Sequence, residues 1–415
     1  MSILAEAGKF SFNPADPKIL KDPYPIFKEL RETDPVHWSN LGFWVLTRFD
    51  DCRSVLVNKD FGQGNFVDNI QIFYGPEFDV LSHSAYRWLS RVFVMQDPPD
   101  HTRLRNLISS ALSLKRIRLM EPRMRVLAKR LLEQFKLSTD DNFITGFAYK
   151  FPTLVMCDML GISEQEYSDE VFLALNQAIA DSFVVFETRA LSEQELSKAD
   201  SQMDFLMGFF GDLFEKRRLH PQNDLTSALV QTQDGANGAL TPEELATSVI
   251  GLFGAGFETT AHMIGNGMFC LGENLLQQQL LVASPDMAAD AVEEILRYES
   301  SLQASYRTAL IDQDVNGQHI KQGERVITIV AAANRDGRVF SDPEVFDIAP
   351  RQEKSLTFGG GIHYCIGAAL ARLEGRVFLE ELVGNHPNFY VDVDSARLRN
   401  AFLFRGYDYL KVDLR

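Results

Sequence analysis

A mainly α-helical fold with small β-sheets at its margins is what this 415-residue chain predicts. Three observations carry that expectation. Helical signals crowd the stretch from about residue 98 to 300. One helical segment, Thr241 to Leu275, has no proline after its first turn. Strand-like alternation is confined to short pieces that lie far apart in the chain.

The helix starts are legible from their caps. Ser163 precedes Glu166, Ser192 precedes Glu195 and Thr241 precedes Glu244, each by three residues. In such a capping box the hydroxyl and the carboxylate each satisfy a backbone N–H at the helix start. The third box opens TPEELATSVIGLFGAGFETTAHMIGNGMFCLGENL. If helical throughout, that segment runs about 50 Å, long enough to cross a domain. It is apolar around most of its girth between Val249 and Phe269, so burial is expected. Strands are expected near Phe43–Thr47, Arg325–Ile329 and Tyr407–Val412. No repeat, low-complexity tract or Gly/Ser-rich linker marks a domain cut.

Composition narrows the function classes. The hydrophobic fraction is 45% and the charged fraction 24%, ordinary values that allow a large core. A net charge of −16 argues against wholesale binding to nucleic acid or to an anionic membrane. Cys52, Cys157, Cys270 and Cys365 are widely spaced, with no CxxC pair. That suits neither a disulfide framework nor a structural zinc site, and it fits a reducing cytosol. The N-terminus lacks the basic and apolar stretches of a secretory signal. No apolar run approaches the roughly 20 residues of a spanning helix. The expectation is a soluble, cytoplasmic protein.

The most informative segment is FGGGIHYCIGAALAR, Phe358 to Arg372. Three glycines and a fourth at Gly367 surround one cysteine, and a helical run follows. Glycines let the chain turn tightly and bring backbone N–H groups toward the sulfur. The following helix aims its positive end at the same place. A thiolate is stabilised by such surroundings and by a metal. An arbitrary cysteine at a helix start is more often a buried small hydrophobe; this glycine setting reverses that ordinary reading.

The segment resembles the haem-binding loop of the cytochrome P-450 family, FxxGxxxCxG followed by Ala-Arg. It matches at Phe358, Gly361, Cys365, Gly367, Ala371 and Arg372. The resemblance implies haem b (iron protoporphyrin IX) between a long central helix and the cysteine-loop helix. It makes Cys365 the axial ligand, packs Phe358 near the sulfur and sends His363 to a propionate. Thiolate ligation favours O–O cleavage over oxygen storage.

Other segments resemble the family in order. AGFETT, Ala255 to Thr260, lies in the long segment and looks like the oxygen-binding groove. By that resemblance Ala255 and Gly256, with Gly367 of the cysteine loop, would contact the haem, while Thr259 and Glu258 would manage protons. Taken alone, the same residues read equally well as a loosely packed helix with one solvated acid. Glu294 and Arg297, at i and i+3, usually make a surface pair. The family order makes them a buried structural pair, completed by Arg351. His101 and Arg105 stand at i and i+4, suited to gripping a propionate, with Arg307 a further partner.

The resemblance covers nearly the whole chain, making residues 1–415 a single domain and a monomer, closest to the soluble bacterial branch. It implies a monooxygenase fed by an iron–sulfur ferredoxin and its reductase. Thr102 to Arg130 holds nine Lys/Arg and one acid, Glu121, within an acidic protein. That run is the expected docking patch, against the plainer reading of a solvated helix face. Substrate is expected among Phe66, Phe73, Val184, Gly251, Gly254, Gln303 and Leu403. The two glycines leave that wall without bulk, which suits a large apolar polyketide, terpenoid or fatty acyl compound of secondary metabolism. A peroxide-driven haem-thiolate enzyme and a non-catalytic haem sensor are the rivals. The Glu258–Thr259 pair speaks against both.

Overall fold

The computed structural model describes residues 11–164, 167–187, 189–233, 240–349 and 353–415. The fold is mainly helical with small sheets, as the sequence predicts. The long segment forms one helix, Pro242–Glu273. Its capping box is reciprocal: Glu244 N donates to Thr241 Oγ1 at 3.1 Å and Thr241 N to Glu244 Oε2 at 2.8 Å. The helix Glu193–Leu219 carries the same device at Ser192 and Glu195. The expected start at Ser163 is a correction. A turn follows Ser163, and the next helix begins at Asp169 with Ser168 before it. Glu166 lies outside the described residues.

The chain groups into two compact units. One comprises Met1–Gly64, Glu121–Phe151 and Thr259–Arg415; the other comprises Asn65–Met120 and Pro152–Glu258. Three of the divisions fall inside helices, Leu114–Leu137, Lys150–Leu160 and Pro242–Glu273, and not in linkers.

The first unit holds the sheets. Its strands are β1 (Val36–Ser39), β2 (Phe43–Leu46), β3 (Phe61–Gly62), β4 (Ala304–Ala309), β5 (Gln313–Val315), β6 (Gln318–Ile320), β7 (Arg325–Ile329), β8 (Tyr390–Leu398) and β9 (Tyr407–Asp413). Five of them form one sheet in the order β1-β2-β7-β4-β3. β2 and β7 run parallel, with Phe43 opposite Arg325, and the other pairs are antiparallel. β5–β6 and β8–β9 are separate hairpins. A core of Leu46, Phe49, Val55, Leu56, Val326, Val330 and Leu356 packs beside the main sheet. The strands expected at β2, β7 and β9 are all present.

This unit is pinned by Glu294 and Arg297, each 2% exposed, on the helix Ala288–Tyr298. Two charges so deep are tolerated only when paired and fully hydrogen-bonded. A guanidinium carries five N–H donors, and here each is used. Nε and Nη2 reach the Glu294 carboxylate at 2.7 and 2.8 Å. Nη1 donates to the carbonyls of Asn334 and Pro343, and Nη2 also to that of Val345. Glu294 in turn accepts from Asp347 N at 2.8 Å. Backbone carbonyls thus complete the pair, and Arg351 lies outside the described residues. Arg297→Ala leaves a buried carboxylate uncompensated, a loss of about 3–5 kcal/mol. Urea unfolding of parent and variant, with the exposed Arg118→Ala as a surface control, measures it.

Candidate functional site

Asn334 continues the network toward the cysteine. Its amide donates to Ser300 Oγ and Thr357 Oγ1, each at 2.9 Å, and its carbonyl oxygen accepts from Leu356 N. Thr357 Oγ1 also donates to the Leu296 carbonyl. Leu356 and Thr357 are therefore fixed just before the loop begins at Phe358.

The loop itself closes through Cys365 N donating to the Phe358 carbonyl at 2.9 Å. Gly359 and Gly361 take φ of +71° and +61°, a left-handed conformation that side chains resist. A Cβ at Gly361 would also lie 2.7 Å from the Leu56 carbonyl oxygen. The cysteine helix, Ala368–Asn385, starts three residues after Cys365. A Cβ at Gly367 would sit 3.9 Å from Sγ, in ordinary van der Waals contact with the sulfur. Phe358 lies under the Arg372 guanidinium at 4.4 Å, and Arg372 is held by Glu293 and Tyr364.

Cys365 is the one exposed cysteine of the four. Burial pushes the thiols of Cys52, Cys157 and Cys270 up, which keeps them protonated. Those three are packing residues. Arg307, on β4, is buried and donates to Ser305 Oγ and the Tyr306 carbonyl. His363 closes the 3-10 turn Gly361–His363 and is half-buried. A single accessible thiol facing a helix N-terminus, with Arg307 and His363 in the same unit, is a donor set that suits a haem iron and its carboxylates.

The long helix is buried from Leu245 to Met268 except at Gly251, Ala255, Gly256 and Thr259. Thr259 thus lies on an accessible stripe, while the neighbouring Glu258 is 2% exposed. One turn on, His262 Nε2 accepts from Arg399 Nη1 at 3.2 Å, and Arg399 also donates to Tyr149 Oη. Burial, and then Arg399, push the His262 pKa down to about 3, so the ring is neutral. A Cβ at Gly406 would strike that ring. The loop before Gly406 carries Leu403, whose carbonyl accepts from Gln303 N, while Gln303 Nε2 donates to the Phe402 carbonyl. Sequence reasoning passed over His262 and Arg399, since a lone His and a distant Arg carry no local signal.

In the second unit His101 is 1% exposed on the helix Asp100–Ala111, its ring 6.1 Å from Phe93, and Arg105 follows one turn later. Phe66 and Phe73 lie half-buried on the helix Phe66–Tyr74, and Val184 is half-buried in the turn Phe183–Phe186. The expectation that Gly251 and Gly254 leave a wall without bulk is corrected at Gly254, whereas Gly251 remains accessible. A Cβ at Gly254 would meet Phe183 Cζ at 2.2 Å, and one at Gly251 would meet Val92 at 3.4 Å. The basic run is also thinner than its count of charges. Arg103 pairs with Glu244, and Arg125 with Glu121, Glu380 and Glu381. Lys115, Arg118 and Lys129 remain exposed and Arg116 half-buried on the helix Leu114–Leu137.

Comparison with known proteins agrees with this geometry. The family model described as cytochrome P450 matches residues 54–282 and 286–397, and the chain belongs to that family. The 6-deoxyerythronolide B hydroxylase of Saccharopolyspora erythraea is 32% identical over 95% of this chain and 96% of its own length. The biotin biosynthesis cytochrome P450 of Bacillus subtilis is 32% identical over 96% and 98%. Among solved structures, P450BioI in complex with hexadec-9Z-enoic acid ligated acyl carrier protein superposes with a TM-score of 0.87. It is 31% identical and covers 96% of this chain and 100% of that one. The protein is thus a monooxygenase whose family uses a haem. Among the described residues, no helix is long and apolar enough to cross a membrane.

One buried acid on the cysteine helix was not anticipated. Glu374 is 0% exposed, and neither carboxylate oxygen has a hydrogen-bond partner. Burial pushes its pKa well above the usual carboxylate range. The folded state therefore holds a proton that the unfolded chain releases above about pH 4.3, so this group costs stability as pH rises beyond that point. Glu374→Met removes the cost. Its thermal midpoint should exceed the parent's by more at pH 8 than at pH 5 in a melting series.

Proposed function

We propose that Cys365, as a thiolate, is the axial ligand of haem b. Arg307 and His363, with His101 and Arg105, hold the two propionates. The observation that carries this reading is the accessible thiol just before the cysteine helix, in a loop where Gly361 is demanded by both a left-handed backbone and the Leu56 carbonyl. When bound, the haem supplies one-electron and O2 chemistry, and a thiolate ligand favours heterolytic O–O cleavage. The chain's own part is proton management and exclusion of water. Thr259 presents a hydroxyl on the accessible stripe, and Glu258, next to it, helps deliver protons within an otherwise apolar segment.

The substrate is a large, mostly apolar molecule such as a polyketide, a terpenoid or a fatty acyl compound. The names of the polyketide, vitamin D(3) and biotin-biosynthesis relatives support that class. Electrons come from an iron–sulfur ferredoxin and its reductase. Lys115, Arg116, Arg118 and Lys129 supply the positive surface that an acidic partner needs on a protein of net charge −16.

Reducing the purified holoprotein under carbon monoxide tests the ligand. Parent protein should show the strongly red-shifted Soret band of thiolate ligation, and Cys365→His should lose it. A parent spectrum of the histidine-ligated kind overturns the assignment.

Charge reversal at Lys115, Arg116 and Arg118 should slow the first electron transfer from a ferredoxin without changing substrate affinity. Steering acts over about 8 Å at physiological salt, so the defect should shrink as salt rises. Stopped-flow reduction at matched haem content measures both; equal rates at low salt would place docking elsewhere.

A further inference from the structure

The long helix presents its accessible stripe between two side chains seated in glycine notches. At about 100° per residue, Gly251, Ala255 and Thr259 advance by about 40° a step and define one narrow face. Gly254 and Gly256 fall on opposite flanks of that face. A Cβ at Gly254 would meet Phe183 Cζ, Cε2 and Cε1 at 2.2, 2.7 and 2.9 Å. A Cβ at Gly256 would meet Met156 Sδ at 2.5 Å. Each side chain therefore sits where a larger residue on the helix would have stood.

Phe183 is held there from behind. The Trp88 ring stacks on it at 5.3 Å and 29°, and Phe186 lies 5.2 Å away. Trp88 is itself anchored, since Nε1 donates to the Thr247 carbonyl at 3.3 Å on the same helix. Trp88 Cζ2 also comes within 3.8 Å of a Cβ at Gly251 on the stripe, so Phe183, Phe186 and Trp88 form one aromatic wall beside it. Gly254 and Glu258 are one turn apart on one side of the helix, so the ring borders the turn that carries the acid.

We propose that Phe183 is a specificity-determining side chain, whose seat in the Gly254 notch sets how much bulk a substrate can carry along the stripe beside Glu258. This rests on the reading that the Gly251–Ala255–Thr259 stripe faces substrate. Phe183→Leu shortens the side chain and widens the space. Gly254→Ala does the reverse, because its methyl would overlap the seated ring and press it out of the notch into the space beside the helix. The two substitutions therefore shift size selection in opposite directions, which loss of packing alone does not do.

The test uses haem-loaded protein and two probes that anchor on iron through the same nitrogen, imidazole and N-tritylimidazole. Spectral titration gives a dissociation constant for each, and their ratio reports room around the anchor. Phe183→Leu should improve the ratio for the trityl compound by about tenfold, and Gly254→Ala should worsen it by about as much, as one to a few carbon atoms do in an apolar pocket. Thermal melting confirms that both variants fold; if Phe183→Leu does not, Phe183→Met takes its place. A ratio unchanged in both, or moved in the same direction, overturns the inference. A parent with no imidazole shift at all removes the haem reading, and this inference with it.

Discussion

The Glu294–Arg297 pair is the constraint on which the rest of the first unit depends. Two full charges sit where solvent hardly reaches, and their desolvation is offset only because every donor has an acceptor. Three of those acceptors are backbone carbonyls, at Asn334, Pro343 and Val345. A guanidinium thereby fixes the path of a stretch that has little regular structure of its own. Asn334 passes the constraint on to Leu356 and Thr357, and so to the first residue of the cysteine loop. A lysine offers three donors from one point and cannot span those carbonyls.

Glycine does different work at different places. In the cysteine loop Gly361 combines a left-handed backbone with van der Waals contact against the Leu56 carbonyl, so both conformation and space demand it. In the long helix Gly254 and Gly256 are ordinary helical residues that lower helix propensity. Their function is to admit side chains from elsewhere in the second unit, Phe183 and Met156. The same residue type thus serves a turn in one unit and a socket in the other.

Much of this was legible in the sequence. Periodicity and caps placed the long helix within two residues of its ends, and alternation located β2, β7 and β9. The glycine-flanked cysteine was legible because local backbone geometry and chemistry agree there. What escaped depends on partners remote in the chain. The notch at Gly254 looks open in sequence, and only tertiary packing puts Phe183 in it. Arg103 and Arg125 count as free cations until Glu244 and Glu380 come beside them. Glu374 looks like a solvated helical acid, and nothing nearby in sequence announces its burial. The helix that the Ser163 box would open begins instead at Asp169, where Ser168 precedes it without a side-chain capping bond.

The way the units divide the chain has a consequence for synthesis on the ribosome. All residues of the second unit have been made once translation reaches Glu258. The first unit must wait far longer. β2, made near the start, lacks its parallel neighbour β7 until residues 325–329 emerge, and the β8–β9 hairpin is the last element made. Strand edges and apolar faces of the early segments are thus exposed while most of the chain is still being assembled. Long-range pairing of this kind is slow and leaves nascent chains open to aggregation. Chaperone capture of the growing polypeptide would therefore be needed mainly for its N-terminal 64 residues, whose partners lie in the C-terminal half.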